Sequence, residues 1–215
     1  MISIENKKRL IFGLIFISIL WFATLYSVIS CSILFSIIGL ICMYEMYQLR
    51  IGKTKLIPLI YIITPFILIQ ILIWKYLSIN VYNSIVWMPE VILYLFALTW
   101  TFDTFAYIFG VKFGKHKILP SISPKKSWEG FIGGLIFTTI LAIFIFGENI
   151  DKIIMYSVLI PISATLGDFI ESYYKRKAMA KDSGNLIPGH GGMLDRMDSF
   201  LISISVISLI IIIGT

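Results

Sequence analysis

Five acids and a serine stand where a mostly apolar chain least tolerates polar groups. Asp168, Glu171 and Ser172, in "ATLGDFIESYYKR", lie three and four positions apart, a spacing that places them on one face of a helix. Asp195 and Asp198, in "MLDRMDS", share a face in the same way, and Asp103 lies within "TWTFDTFAYIFG". If a hairpin joins the two acidic segments, Asp168 and Asp195 can meet although 27 positions separate them. Carboxylates forced together repel unless a cation lies between them. Carboxylate oxygens with few imidazoles and no thiolates suit Mg²⁺ or Mn²⁺ rather than zinc. The plainer alternative is that Asp195 and Asp198 pair with Arg196 and nearby lysines.

The surroundings of these acids are basic. Lys175, Arg176, Lys181 and Arg196 flank them, and "PGHGG", with His190, Gly191 and Gly192, supplies backbone amides that an anion can approach closely. A cation held by acids and encircled by bases is a way to handle phosphates. Each part also has a simpler explanation. Lys175 to Lys177 can enforce membrane topology, the glycines can make a turn, His190 can bond backbone, and Asp182 can cap or pair with Lys181.

The elements that must position these residues are membrane helices. Of the 215 residues, 58% are hydrophobic and 14% charged, and mean hydropathy is +0.92. A soluble domain carries roughly 25% charged residues, which excludes that class. The formal charge of +6 belongs to basic residues flanking apolar runs, a pattern of topology and anionic lipid rather than of nucleic acid. Cys31 and Cys42 lie inside apolar runs with no metal-binding spacing. The start, "MISIENKKRL", leads into a retained first span, since no short apolar region ending in a cleavage site follows it.

No charge interrupts Leu10 to Tyr44, which is longer than one crossing needs, so two spans are expected with a turn near Tyr26 to Ser30. Five more follow, near Leu56–Trp74, Val91–Phe109, Phe131–Phe146, Ile153–Glu171 and Ser199–Ile213. The expected fold is therefore all-α, a polytopic membrane bundle of about seven helices forming a single domain over 1–215. Basic clusters precede the first span and follow the second, fourth and sixth, leaving only Lys75 and Lys152 for the opposite face. The positive-inside rule then puts the N-terminus and the acidic sites at the cytoplasmic face. Trp74, Trp87 and Trp128 fit interfacial anchors.

One family matches these motifs. "SYYKRKAMAKDSGNLIPGHGGMLDRMD", Ser172 to Asp198, closely resembles the signature of the phosphatidate cytidylyltransferases, or CDP-diacylglycerol synthases. Its Ser, Lys-Arg, Lys-Asp, Pro-x-His-Gly-Gly and Asp-Arg-x-Asp are all present in register. "DTFAYIFGVKFGKHKILPSISPKKSWEG", Asp103 to Gly130, is similar to a second segment of the family. The likeness covers about Val91 to Thr215, with the motifs within about 91–200. Before it the chain agrees only in being apolar, with Glu45 in a "YEMY" setting like that of relatives. Tyr174 departs from the pattern, which usually has an aliphatic residue or Met there.

The resemblance implies that CTP and phosphatidic acid give CDP-diacylglycerol and pyrophosphate, in phospholipid biosynthesis at a bacterial inner membrane. It implies Mg²⁺, as one or two ions with or without a monovalent cation, held by Asp168 and Asp195, with Asp198 as a further ligand. Lys175, Arg176, Lys181 and Arg196 would bind phosphate oxygens. Ser172, Ser123, Lys125, Lys126, Asp103, His190, Gly191 and Gly192 would line the substrate cleft. CTP, phosphatidic acid and membrane lipids are the implied partners; a homodimer is left open and nucleic acid is not expected. The rival classes are a transporter, whose intramembrane acids would be spread through the bilayer depth, and another lipid-phosphate enzyme such as a polyprenol kinase. A CDP-alcohol phosphotransferase would need an Asp-Gly-x-x-Ala-Arg motif that is not found.

Overall fold

A computed structural model describes residues 4–81, 84–187 and 191–214. Seven α-helices are present among them: α1 (Ile4–Tyr26), α2 (Val28–Leu49), α3 (Leu56–Ile71), α4 (Glu90–Phe113), α5 (Trp128–Phe146), α6 (Ile150–Lys177) and α7 (Leu194–Gly214). Six segments, α2, α3 with the turn after it, and α4 to α7, are long and apolar enough to cross a membrane; the apolar part of α1, Ile11–Tyr26, is shorter. Only 28% to 44% of the residues in these spans are buried within the protein. Much of the remainder presents Ile, Leu and Phe outward, as with Ile33, Ile67, Ile136, Phe144 and Ile154. Such a surface is stable only where the surroundings are apolar, and helices satisfy their own backbone there. The all-α membrane class expected from the sequence is the observed one.

By its internal packing the chain divides into two compact units. The first comprises Met1–Leu93, Tyr174–Met197 and Ser208–Thr215. The reversal between α1 and α2 is set by a capping box, in which Ser27 Oγ accepts from Ser30 N and Ser30 Oγ accepts from Ser27 N. Cys31, Phe35, Ile38, Cys42 and Met46, at most 2% exposed, form the buried stripe of α2. Gly39 lets the Phe66 ring of α3 approach its backbone. A polar clasp locks the pair: Ser32 Oγ donates to Gln70 Oε1 (2.7 Å), while Gln70 Nε2 donates to the Ser32 carbonyl (2.9 Å). Beyond α3, a π-helical turn at Leu72–Tyr76 leads into an antiparallel pair, β1 (Ser78–Val81) and β2 (Ser84–Trp87), with Ser78 opposite Trp87. Trp87 is more than an interfacial anchor, because its indole N–H donates to the Thr24 carbonyl at 2.7 Å.

The second unit comprises Tyr94–Tyr173 and Asp198–Ile207. Between α4 and α5 runs a short antiparallel hairpin, β3 (Lys117–Leu119) and β4 (Ser123–Ser127), with Lys117 opposite Ser127. The Glu129 carboxylate accepts from Lys115 N (3.1 Å) and His116 N (3.1 Å) and lies 2.6 Å from His116 Nδ1, so the start of the hairpin is tied to the first turn of α5. A Cβ at Gly133 would meet the Phe109 ring, and one at Gly134 the Phe102 ring. Small residues that let membrane helices close in are the expected packing device where no hydrophobic effect drives helices together. Phe96 stacks on Phe200 at 4.7 Å, joining α4 to α7.

Candidate active site

Within the second unit, α4, the β3–β4 hairpin, α5, α6 and α7 enclose a cleft of about 620 Å³. Three of these helices each contribute an aspartate to it: Asp103 from α4, Asp168 from α6 and Asp198 from α7. The hairpin contributes Ser123, Lys125 and Lys126. Lys126 Nζ lies 2.5 Å from Asp168 Oδ2, and the other oxygen of that carboxylate, Oδ1, accepts from Ser172 Oγ at 3.0 Å. Ser199 ties two acids together: its N–H donates to Asp198 Oδ1 (2.7 Å) and its hydroxyl to Asp103 Oδ1 (3.3 Å). This geometry depends on Gly167, where a Cβ would collide with the Asp198 carbonyl oxygen, so only a glycine lets α6 and α7 approach so closely.

Asp168, Glu171 and Asp198 each offer a carboxylate oxygen, and these atoms lie within 4.8 Å of one another. Ligand oxygens opposite each other on a Mg²⁺ ion lie about 4.2 Å apart, from its bond length of about 2.1 Å. Small side-chain adjustments would close that gap, and an all-oxygen donor set matches the hard cation expected from composition.

The glycine-rich loop builds a second polar network, in the first unit. Asp195 Oδ1 accepts from Lys175 Nζ at 2.7 Å, and both side chains are nearly buried, 6% and 11% exposed respectively. Asp195 Oδ2 accepts from Ser183 N (2.8 Å) and Gly192 N (2.8 Å) and lies 2.9 Å from Ser183 Oγ. Glu45 of α2 reaches the same loop: its carboxylate accepts from Ser183 Oγ (2.8 Å), Met193 N (2.9 Å) and Leu194 N (2.8 Å). Those last two amides belong to the start of α7, whose orphan N–H groups are thus capped by an acid from a distant helix. A Cβ at Gly192 would strike Ser183 Oγ and the Glu45 carboxylate, and Gly191 has a φ of +85° that favours glycine. Both loop glycines are therefore needed for the backbone to wrap the two carboxylates.

The residues singled out by sequence thus fall into two groups. Asp103, Ser123, Lys125, Lys126, Asp168, Ser172 and Asp198 are in the second unit, and Lys175, Arg176, Lys181, Gly191, Gly192, Asp195 and Arg196 are in the first. Arg176 Nη1 donates to the Ala180 carbonyl at 3.2 Å, and Arg176, Lys181 and Arg196 are exposed. His190, with Pro188 and Gly189, lies outside the described residues. Sequence reasoning did not give Glu45 or Ser183 a role. The signal for Glu45 was a solitary acid ending a long uncharged run; Ser183 carried none.

Comparison with known proteins bears on the half of the chain that holds the cleft. A sequence model of the cytidylyltransferase family matches residues 89–213. A protein named phosphatidate cytidylyltransferase from Staphylococcus haemolyticus is 46% identical over 126 residues, covering 56% of this chain and 48% of that protein. Its namesake from Staphylococcus aureus is 42% identical over 126 residues, with the same coverage. One from Haemophilus influenzae is 49% identical over 118 residues, or 50% of this chain and 41% of that protein. The chain spans about half the length of the curated relatives it matches. With the family match extending over more than half of its residues and including every acid of the cleft, the chain belongs to the cytidylyltransferase family.

Proposed function

We propose that this protein transfers the cytidylyl group of CTP to phosphatidic acid, forming CDP-diacylglycerol and releasing pyrophosphate. The observation that carries the proposal is the cleft in which Lys126 pairs with Asp168 beside Asp103 and Asp198, within the segment that matches the cytidylyltransferase family, in a chain whose relatives include proteins named for this activity. An oxygen of the lipid phosphate attacks the α-phosphorus of CTP in line, a new P–O bond forms, and the bond to the pyrophosphate oxygen breaks. The nucleophile is already ionised at neutral pH, so the protein needs no strong general base. Its task is to hold two mutually repelling anions in reacting geometry.

Asp168, Glu171 and Asp198 would hold Mg²⁺, with Asp195 proposed as a further ligand from the signature. When bound, the ion would offset the charge of the reacting phosphates. Lys126 and Lys125 on the hairpin supply cations to phosphate oxygens inside the cleft, and Ser123 supplies a hydroxyl donor. Lys175 pairs with Asp195, and Arg176, Lys181 and Arg196 are exposed donors for nucleotide phosphates; Arg can bind these in a bidentate way. Gly191, Gly192 and His190 contribute to substrate binding, the glycines by holding the loop in shape. The N-terminus and the site are assigned to the cytoplasmic face of a bacterial inner membrane, where soluble CTP meets a lipid headgroup at the interface.

The test is purified protein in detergent with radiolabelled CTP, Mg²⁺ and a panel of lipid phosphates. Label should enter a lipid product only with phosphatidic acid, with equimolar pyrophosphate. Label entering no lipid would reject transfer and favour a transport role.

A further inference from the structure

The geometry points to a second phosphate-binding site, distinct from the cleft and independent of the transfer reaction, where Arg50, Lys53, Lys55 and Lys177 surround a groove. The groove measures about 790 Å³, and no acid lines it among the described residues. It is built at the turn between α2 and α3, where Gly52 takes a φ of +72° and is open around its Cα, and at the end of α6.

Basic side chains at helix C-termini commonly do no more than complement the dipole. That accounts for Lys53, whose ammonium donates to the Lys177 carbonyl. It does not account for Arg50. Arg50 is only 8% exposed. Its Nε and Nη2 both donate to the Thr54 carbonyl (3.1 Å each), which fixes the plane of the group. Nη1 is buried with no hydrogen-bond partner. A buried charged donor lacking an acceptor is a cost that proteins rarely tolerate without a ligand. Tyr174, the position that departs from the family pattern, lies with its ring 5.5 Å from the guanidinium carbon and so backs the group from one side.

A further feature favours an anion here. Lys55 is the N-cap residue of α3 and makes no side-chain capping bond, so the positive end of a 16-residue helix adjoins the groove without a cap. Lys55 itself is steadied over the Tyr47 ring, 3.4 Å from its centroid. An uncapped helix N-terminus, a fixed guanidinium whose Nη1 lacks an acceptor and three ammonium groups together favour a phosphate. That phosphate can belong to the headgroup of an anionic phospholipid or be free in solution; the chemistry is shared.

The experiment uses the whole 215-residue chain in phosphatidylcholine nanodiscs. One arm titrates phosphatidylglycerol into the bilayer and counts retained anionic lipid by native mass spectrometry after detergent extraction. The other titrates inorganic phosphate and follows Trp fluorescence and thermal unfolding. Saturable retention of phosphatidylglycerol over phosphatidylcholine identifies the lipid source, and saturable binding of inorganic phosphate the soluble one. In either case Lys53→Gln with Lys55→Gln should weaken binding by roughly fivefold per lysine, and Arg50→Gln by more. The double variant alters side chains on the open turn and keeps the test valid if Arg50→Gln fails to fold. Lys112→Gln with Lys115→Gln removes the same charge from the other unit and should leave binding unchanged. Equal losses in both double variants, or no saturable binding in either arm, overturn the proposal.

Discussion

Lys126 Nζ lies 2.5 Å from Asp168 Oδ2, and the two side chains retain 24% and 25% of their exposure inside the cleft. The pair is therefore close enough to neutralise itself and open enough to exchange partners. A cation can take the carboxylate while a phosphate takes the ammonium, so that each ligand favours binding of the other.

Lys126→Gln separates these two roles. With the ammonium gone, Asp168 loses its ion-pair partner and stands beside Glu171 and Asp198. Mn²⁺ binding in the absence of nucleotide should tighten by roughly tenfold, while transfer falls by about 10²-fold or more. Paramagnetic titration of Mn²⁺ and the labelled-CTP assay measure the two effects. Loss of both together would show that Lys126 holds the cleft in shape and does not compete for Asp168.

Asp168→Asn and Asp198→Asn remove charged donors from the group of three carboxylates. Each is expected to reduce transfer by about 10²-fold or more and to weaken Mn²⁺ binding, with circular dichroism and elution from size exclusion unchanged. Undiminished Mn²⁺ affinity in both variants would place the metal elsewhere.

Asp195→Asn should lose transfer as well but with a different signature. It removes the counter-charge of Lys175, whose side chain is 11% exposed. Taking this partner from a nearly buried ammonium should cost about 3 kcal/mol of stability. Thermal unfolding should show the drop for Asp195→Asn and a partial recovery when Lys175→Met is added, without recovery of transfer.

Gly167→Ala tests the approach of α6 to α7. The added methyl group meets the Asp198 carbonyl oxygen, which is backbone and cannot rotate away. A loss of about 1 to 3 kcal/mol is expected from overpacking. Gly214→Ala, whose methyl group would meet nothing within 4 Å, serves as the neutral comparison in the same unfolding assay.

Helix positions were legible because bilayer thickness imposes a length on apolar runs. The turn expected near Tyr26 to Ser30 falls at Ser27, where the capping box lies. The end expected at Glu171 falls at Lys177, because α6 continues as a polar helix to Lys177, and hydropathy cannot register that extension. The β3–β4 hairpin was not legible: three- and five-residue strands carrying lysines have no alternating pattern to betray them. Local spacing put Asp168 beside Ser172, which is a matter of one helix face. The same reasoning could not pair Glu45 with Leu194, 149 positions away, since nothing local in sequence encodes a cap donated by another helix. Asp103 and Ser199, 96 positions apart, escaped for the same reason.

The Glu129 clasp on Lys115 and His116 has a consequence for how the cleft meets a ligand. It tethers the ribbon bearing Ser123, Lys125 and Lys126 at its base, so these side chains wait on a stiff scaffold rather than on a loop that must be recruited. The disorder such a loop would surrender at each encounter is surrendered once, when the chain folds. The basic wall of the cleft therefore stands assembled before any anion arrives.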